Sequence, residues 1–402
     1  MSINKITSDV YSVGVLNPNL RIFDIVMETK YGTTYNSYII KGSEKTALIE
    51  TSHLDFFDSY IENLKEACEL SSIEYLIMNH NEPDHSGSIV KLLELLPNLK
   101  IIASQAGSIY LKNIVNNNNM NITVAKDGDT LDLGGKTLTF INAPFLHWPD
   151  SMFTYLKEEK MLFSCDFFGC HYCEPLPFDG QMLPKRKAAY DSALLGYYNA
   201  IFSPFKPYVA KGLEKIKDLE IDFVCTSHGP ILTKEGFLPE VIEKYTKWSA
   251  PVIKDNKVIP LFYCSAYGNT ELLAQSIAEG IREVMPTAEV NCYDLNEHSM
   301  SDMSALINSC DAFLIGSPTI NKDAVPPIWV LLSHIDAINI AKRPVAIFGS
   351  YGWSGEAFKN IRLRFDGLKT KTFEQDFKVV FVPTKEDLEN AKQFGKDFAQ
   401  TL

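Results

Sequence analysis

Four apolar stretches in the first 230 residues each run out into a side chain that can hold a metal ion. Residues 73–78 lead to His80. Residues 136–141 lead through Ala143 and Pro144 to His147. Residues 160–165 lead directly to Asp166, and residues 221–225 lead to His228. Runs of this length and character read as strands. One histidine at a strand end is more often a capped core residue than a ligand. Four strand ends that agree point instead to a sheet fold whose edge gathers ligands from distant parts of the chain.

The densest stretch is His80-Asn81-Glu82-Pro83-Asp84-His85, with four metal-capable groups in six residues. Pro83 bars a regular strand or helix interior there, so a turn at the strand's end is expected. The full candidate set is His80, Glu82, Asp84, His85, His147, Asp166 and His228. These are too many ligands for one ion and enough for two, each with an open position. Asp166 is the natural bridge, because a carboxylate can bind through both oxygens. Three carboxylates in the set favour iron or manganese over structural zinc, which prefers cysteine and histidine.

The remainder of the first half reads as strand-rich, with short strands in 10–15, 35–40 and 46–50. Helices are expected over 56–70 and over 88–96, the latter stopped by Pro97. Composition changes at 251–257, which reads as a linker between domains spanning 1–250 and 258–402. After it, apolar strands, loops and helices alternate, with strands at 258–264, 312–315 and 345–348 and a helix over 271–284. That alternation predicts a doubly wound α/β domain with a parallel sheet. Its loops are Ser265-Ala266-Tyr267-Gly268-Asn269-Thr270, Gly316-Ser317-Pro318-Thr319-Ile320-Asn321 and Gly349-Ser350-Tyr351-Gly352-Trp353-Ser354-Gly355. The first reads as a phosphate cradle, with hydroxyls and backbone N–H groups at a helix N-terminus. It has neither the GK[ST] of a P-loop nor a GxGxxG. All three would lie at the C-terminal edge of the sheet, where doubly wound folds bind ligands.

Composition narrows the partners. The chain has 402 residues, 46% hydrophobic, with a net charge of −12, which argues against nucleic acid or an anionic membrane. The start carries no apolar targeting core and no run is long enough to span a bilayer, so a cytoplasmic protein is expected. Eight cysteines scattered over such a chain do not suggest a disulfide framework. Cys170 and Cys173 flank His171, but a lone CxxC is weak evidence for zinc. His171 is expected to be structural or to hydrogen-bond a ligating carboxylate. Tyr197 and Tyr198 are candidate hydroxyls near the site. His53, His298 and His334 lie outside every motif and read as structural.

The ligand order resembles that of the metallo-β-lactamase superfamily, whose motif is HxHxDH followed by a later His, a bridging Asp and a last His. Here Glu82 stands where the second His would be, and this is similar to the flavodiiron proteins, with HxExDH. The segments Leu146-His147-Trp148-Pro149-Asp150, Phe163-Ser164-Cys165-Asp166-Phe167-Phe168-Gly169 and Thr226-Ser227-His228-Gly229-Pro230 resemble the same family. The resemblance implies an αββα domain and one iron on His80, Glu82, His147 and Asp166. It implies a second iron on Asp84, His85, Asp166 and His228.

The three later loops together resemble flavodoxin and imply FMN, with Tyr351 and Trp353 offering flat surfaces to its ring. The implied activity is reduction of O2 to water, of NO to N2O, or both. A head-to-tail homodimer, or a dimer of dimers, is implied, with the flavin of one chain facing the irons of the other and Trp353 between them. A separate rubredoxin, or a rubredoxin reductase system, is implied as donor, since no paired CxxC motifs follow the flavodoxin-like part. The alternative is a binuclear metallohydrolase such as a thioesterase with an accessory flavodoxin domain, against which Glu82 argues. A third reading is a sensor that binds NO or O2 and turns over poorly.

Overall fold

In the computed structural model, which describes residues 3–25, 27–251 and 256–402, the chain divides into two compact units, Met1–Pro251 and Val252–Leu402. Part of the expected linker, residues 252–255, lies outside the described residues.

The first unit stacks two sheets between layers of helices. One sheet runs in the order Asn4–Lys5, Val10–Ser12, Tyr38–Lys41, Thr46–Ile49, Ile73–Met78, Lys100–Ala103, Ile122–Val124. The other runs Thr130–Asp132, Thr137–Asn142, Met152–Leu156, Met161–Cys165, Phe223–Thr226, Leu232–Thr233. Alternation along the strands creates the layers. Tyr38, Ile40, Ala47, Ile49 and Ile77 point inward and meet Phe140, Met152, Met161 and Phe163 of the other sheet. Ile39, Leu48, Leu76 and Ile101 point outward onto Tyr60, Leu64, Ile89 and Leu92 of covering helices. The second sheet is covered by the helices Lys187–Tyr197, Lys206–Ile216 and Leu238–Ser249. This is the αββα arrangement that the family resemblance implied.

The second unit is a parallel sheet in the order Cys292–Asp294, Leu261–Tyr263, Phe313–Gly316, Pro344–Tyr351, with Lys371–Thr372 and Phe377–Val380 both paired to the last. Numbered along the chain this is 2-1-3-4-5, a doubly wound order. Helices Asn269–Val284 and Lys385–Ala399 cover one face. Helices Met300–Ser309, Pro326–Ser333 and Glu356–Gly367 cover the other. Among the described residues, no helix is long and apolar enough to cross a membrane.

Several boundaries differ from the sequence expectation. The run 35–40 is two strands, Thr33–Tyr35 and Tyr38–Lys41, in different sheets. The run 10–15 also divides, at Val13-Gly14. The helices over 56–70 and 88–96 shorten to Phe57–Ala67 and Ile89–Leu95. The run 258–264 keeps only Leu261–Tyr263 as a strand, because Pro260 has no N–H for the ladder. The helix expected over 271–284 begins earlier, at Asn269, directly after Gly268 in the left-handed region.

Helices Asn269–Val284 and Lys385–Ala399 approach closely enough to touch backbone to backbone. A Cβ at Gly280 would overlap the Lys392 carbonyl, and one at Gly395 would overlap the Ile277 carbonyl. Gly395→Val should therefore destabilise this unit by about 1–3 kcal/mol through overpacking. Gly367→Ala, where an added Cβ meets nothing within 4 Å, should be neutral. Denaturant unfolding of the two variants checks this, and equal stabilities would refute the close-contact account.

Candidate metal centre and flavin cleft

Strand register brings the ligands together. Thr46–Ile49 and Ile73–Met78 are parallel, with Ile49 opposite Ile77, so Glu50 and His80 leave the sheet at one edge. Met161–Cys165 and Phe223–Thr226 are also parallel, with Cys165 opposite Thr226. That places Asp166 beside the loop that carries His228. Four residues on these turns, Glu50, Phe145, Cys165 and Phe168, have φ of 59°, 68°, 54° and 70°. Non-glycine residues rarely take that conformation, and such strain clusters at functional sites.

The stretch after His80 is not a plain turn. Residues Pro83–Ser86 form one helical turn with Glu82 in the capping position. Pro83 fits there because the first helical N–H needs no partner. Ser86 Oγ donates to Asn81 O at 2.9 Å and Glu82 O at 3.1 Å, closing the turn.

All seven candidates converge, and the two oxygens of Asp166 divide them. Oδ2 lies 3.6 Å from His80 Nε2 and 3.5 Å from His147 Nε2. Both of those nitrogens lie 3.2 Å from Glu82 Oε2. Oδ1 lies 3.3 Å from His85 Nε2 and 3.4 Å from His228 Nε2. Those two nitrogens face Asp84, at 3.4 Å from Oδ1 and 3.0 Å from Oδ2 respectively. Two ligand sets therefore share one carboxylate. Burial alone would raise Asp166, but His85, His147 and His80 hold it well below the usual carboxylate range.

Each set is steered from behind by groups that the sequence reading missed. His80 Nδ1 donates to both Asp150 oxygens at 3.3 Å, and Asp150 is fully buried. Asp150 Oδ2 also accepts from the Asn81 amide at 2.8 Å. His85 Nδ1 lies 3.4 Å from Glu50 Oε2, while Glu50 Oε1 accepts from Asn79 N at 2.7 Å and His80 N at 3.1 Å. His228 Nδ1 donates to Thr34 O at 2.6 Å. With Nδ1 so engaged, Nε2 of each ring is the lone-pair nitrogen facing inward. A signal existed for Asp150, which sits three residues after His147 on the same loop. None existed for Thr34 O, since any residue supplies a backbone carbonyl.

The chemistry of this cage fits cations. Both oxygens of Asp84, both of Asp166 and His85 Nε2 are buried with no hydrogen-bond partner among the described residues. Polar atoms do not stay so buried without a partner, and metal ions would supply it. His80 shows the field the carboxylates create. Burial would lower its pKa, yet Asp150 and Glu82 raise it to about 10. Cys165 also lies near Glu50 and His85. Burial and Asp166 push its thiol well up.

The cage is walled by rings. Phe23 lies 6.1 Å from His228, and Phe202 lies 6.4 Å from His147. Tyr197 stands edge-on to His171 at 4.9 Å and lies 6.2 Å from His228. The helix ending at Tyr197 passes into a π-helical turn, Tyr198–Phe202, and Tyr198 turns away. It packs on Tyr245 at 5.1 Å and Trp248 at 4.9 Å, outside the cage. His171 does not hydrogen-bond a ligating carboxylate. Its Nδ1 meets Thr33 Oγ1 at 2.8 Å, and burial, with His228 beside it, lowers its pKa to about 3. All eight cysteines are free thiols. His53 accepts from the Asp55 amide at 3.2 Å, His298 packs on Tyr293 at 5.3 Å, and His334 Nδ1 donates to Val330 O at 2.7 Å. None of these three belongs to the cage.

In the second unit the three loops line one cleft of about 330 Å³. Ala266, Tyr267, Asn269, Pro318, Thr319, Ile320, Asn321, Ser350, Tyr351, Gly352, Trp353 and Ser354 face it. Ser265, Gly268, Thr270, Ser317 and Gly355 do not line it but shape its loops. Ser265 Oγ accepts from Glu271 N at 3.3 Å, Thr270 Oγ1 lies 3.3 Å from Ser350 Oγ, and Ser317 Oγ donates to Pro318 O at 2.7 Å. Gly268 and Gly355 sit in the left-handed region at helix N-termini. Lys322, Glu356 and Phe381 also line the cleft and were not anticipated. Trp353 is 93% exposed and Tyr267 91% exposed, two large rings with little packing of their own beside the cleft.

Comparison with known proteins agrees with both halves. Residues 33–229 match the ODP family beta lactamase and residues 261–395 match flavodoxin. The chain is 53% identical over 401 residues to flavo-diiron protein FprA2 of Clostridium acetobutylicum, covering 99% of each. It is 34% identical over 406 residues to a nitric oxide reductase of Moorella thermoacetica, covering 99% of this chain and 98% of that one. Among solved structures, the rubredoxin oxygen:oxidoreductase of Desulfovibrio gigas superposes with a TM-score of 0.70 at 28% identity, covering 99% and 98%. The Giardia intestinalis flavodiiron protein does so at 0.68 and 27%, covering 100% and 96%. Shared identity along its whole length, with a carboxylate-bridged cage in one unit and a flavin cleft in the other, makes this chain a member of the flavodiiron proteins.

Proposed function

We propose that this flavodiiron oxidoreductase, with FMN and two non-haem irons as cofactors, reduces O2 to water, NO to N2O, or both. The observation that carries the reading is the division of the cage by Asp166. His80, Glu82 and His147 would hold one iron through Oδ2, and Asp84, His85 and His228 the other through Oδ1. Held there, the irons would supply one electron each and the flavin two more, which is the four-electron demand of O2 or covers the two electrons of NO coupling.

The chain's own residues set the conditions for that chemistry. Asp150, Glu50 and Thr34 O fix the ring tautomers of His80, His85 and His228, so these three present lone pairs inward. Phe23, Phe202 and Tyr197 keep bulk water from the gas-binding face. The Tyr197 ring lies 6.2 Å from His228, and its hydroxyl would be the donor to a diatomic on that side of the cage. Tyr267, Tyr351 and Trp353 would grip the isoalloxazine, with the loop from Ser265 to Thr270 around the phosphate. Trp353 has φ of 63°, a strain that stacking on the flavin would repay.

The gas-reductase names of relatives support a small gas as substrate and a rubredoxin-type donor for this chain. A head-to-tail homodimer, with the exposed rings at the flavin cleft facing the partner's irons, belongs to the proposal. So does a cytosolic address, supported by the free thiols. The hydrolase alternative is disfavoured by Glu82 and by the family.

The test is anaerobic reduction of the purified protein followed by separate pulses of O2 and NO, with iron and FMN measured on the same sample. Rapid oxidation by either gas supports the proposal, and oxidation by neither sinks it. Asp166→Ala should lose both irons and keep FMN, and two irons retained would remove the bridge. Asp150→Asn should weaken iron binding by about 10- to 100-fold by loosening His80, read by competition with a chelator. Trp353→Ala should weaken FMN binding by about tenfold, through lost stacking, as followed by flavin fluorescence.

A further inference from the structure

His80 and His147, the two imidazoles facing Asp166 Oδ2, share an aromatic neighbour. Trp148 follows His147 directly, so the ligand's own backbone holds it in place. Its indole stands edge-on to His80, with centroids 5.1 Å apart at 89°, and lies 6.2 Å from His147. Tyr110, on the helix Gln105–Ile114, lies 6.4 Å beyond at 80°. Both Trp148 and Tyr110 are half-buried, so this file of rings runs from ligand to solvent. The wall elsewhere includes Phe23 and Phe202, whose benzene rings give up electrons far less readily than indole or phenol.

A second aromatic file leaves the cage through Phe202, Tyr245, Tyr198 and Trp248, with steps of 5.8, 5.1 and 4.9 Å. Proton chemistry separates the two. A phenol that loses an electron must also lose its proton, or leave a buried charge. The hydroxyls of Tyr198 and Tyr245 are buried with no hydrogen-bond partner among the described residues, so their protons have no acceptor. Tyr110 is reached by water, which can take its proton.

We propose that Trp148 and Tyr110 form an escape route that carries oxidising equivalents from the metal centre to the surface when oxygen reduction begins with too few electrons. This rests on the oxygen branch of the function proposed above. If FMN is oxidised, oxygen halts at the peroxide level, and breaking its remaining O–O bond takes two electrons and two protons. Trp148 gives the first electron and is refilled from Tyr110. The Tyr110 proton goes to water, and water returns a proton to the site. A soluble thiol then restores Tyr110 by giving it a hydrogen atom, and the cycle repeats once. The net change is one peroxide and two thiols to two waters and one disulfide. Without this route the same oxidation would fall on the ligands themselves.

The test mixes oxidised, iron- and FMN-loaded protein with hydrogen peroxide and freeze-quenches it for EPR. Wild type should show a tyrosyl radical. Tyr110→Phe should replace it with an indole radical, and Trp148→Phe should lose both, with iron and FMN contents unchanged. Mass spectrometry after repeated peroxide exposure should find oxidation at Trp148 and Tyr110 in wild type, shifting to His80 and His147 in Trp148→Phe. Absence of any protein radical in wild type, or an undiminished tyrosyl signal in either variant, overturns the proposal. Peroxide bypasses O2, so these outcomes judge the ring file itself. Whether reduced enzyme consumes O2 is a separate measurement that judges the function.

Discussion

Asp166 is the one side chain that both metal-ligand sets need, and its placement depends on the pairing of two parallel strands. The ladder between Met161–Cys165 and Phe223–Thr226 shifts register after Phe163, and Cys165 then enters the left-handed region. Together these turn the Asp166 carboxylate between four imidazoles rather than along the sheet. The Ser227 amide donates to Cys165 O at 2.9 Å, so the loop bearing His228 is tied to the same point. A change in that register would move a bridge and a terminal ligand at once. The Ser164 hydroxyl, donating to Phe167 O at 2.6 Å, closes the turn from its other side.

The outer shell follows from the inner one. Three carboxylates against four imidazoles make a pocket of negative potential in a dry interior. The second carboxylates, Asp150 and Glu50, add to that charge, and each is stabilised by backbone amides from the segment it orients. Asp150 holds Asn81, and Glu50 holds Asn79 and His80. The ligand loop is thus fastened by the same groups that choose its tautomers. Fold and electrostatics cannot be varied separately here.

Much of this was legible in the sequence because the inner ligands have distinctive chemistry and sit at strand ends. The flavin loops were legible because strand, loop and helix alternate with glycine and hydroxyls at the turns. What escaped was set by tertiary contact. Glu50 looks like an ordinary end to a strand until its neighbour is known to carry His80. Tyr197 and Tyr198 are equivalent in sequence, and only the π-helical turn sends one to the cage and the other into the Tyr245 cluster. Pro83 read as a helix breaker but occupies a helix start, since the rule it follows depends on position within the turn. Lys322 and Phe381 come to the flavin cleft from a hairpin turn and from the end of the strand Phe377–Val380, neither of which resembles a binding loop.

The left-handed residues divide this molecule into places where stabilisation would be free and places where it would not. At Glu50 and Cys165 the unfavourable backbone aims a carboxylate or sets the bridge, so relaxing it to glycine would trade function for stability. Lys342 and Lys369, with φ of 66° and 57°, carry the same geometry on exposed turns of the flavin unit. They are joined to each other by an amide–carbonyl bond of 2.8 Å, and neither lines the cleft. An engineer seeking a hardier catalyst would start at those two lysines and leave the strained turns of the cage alone.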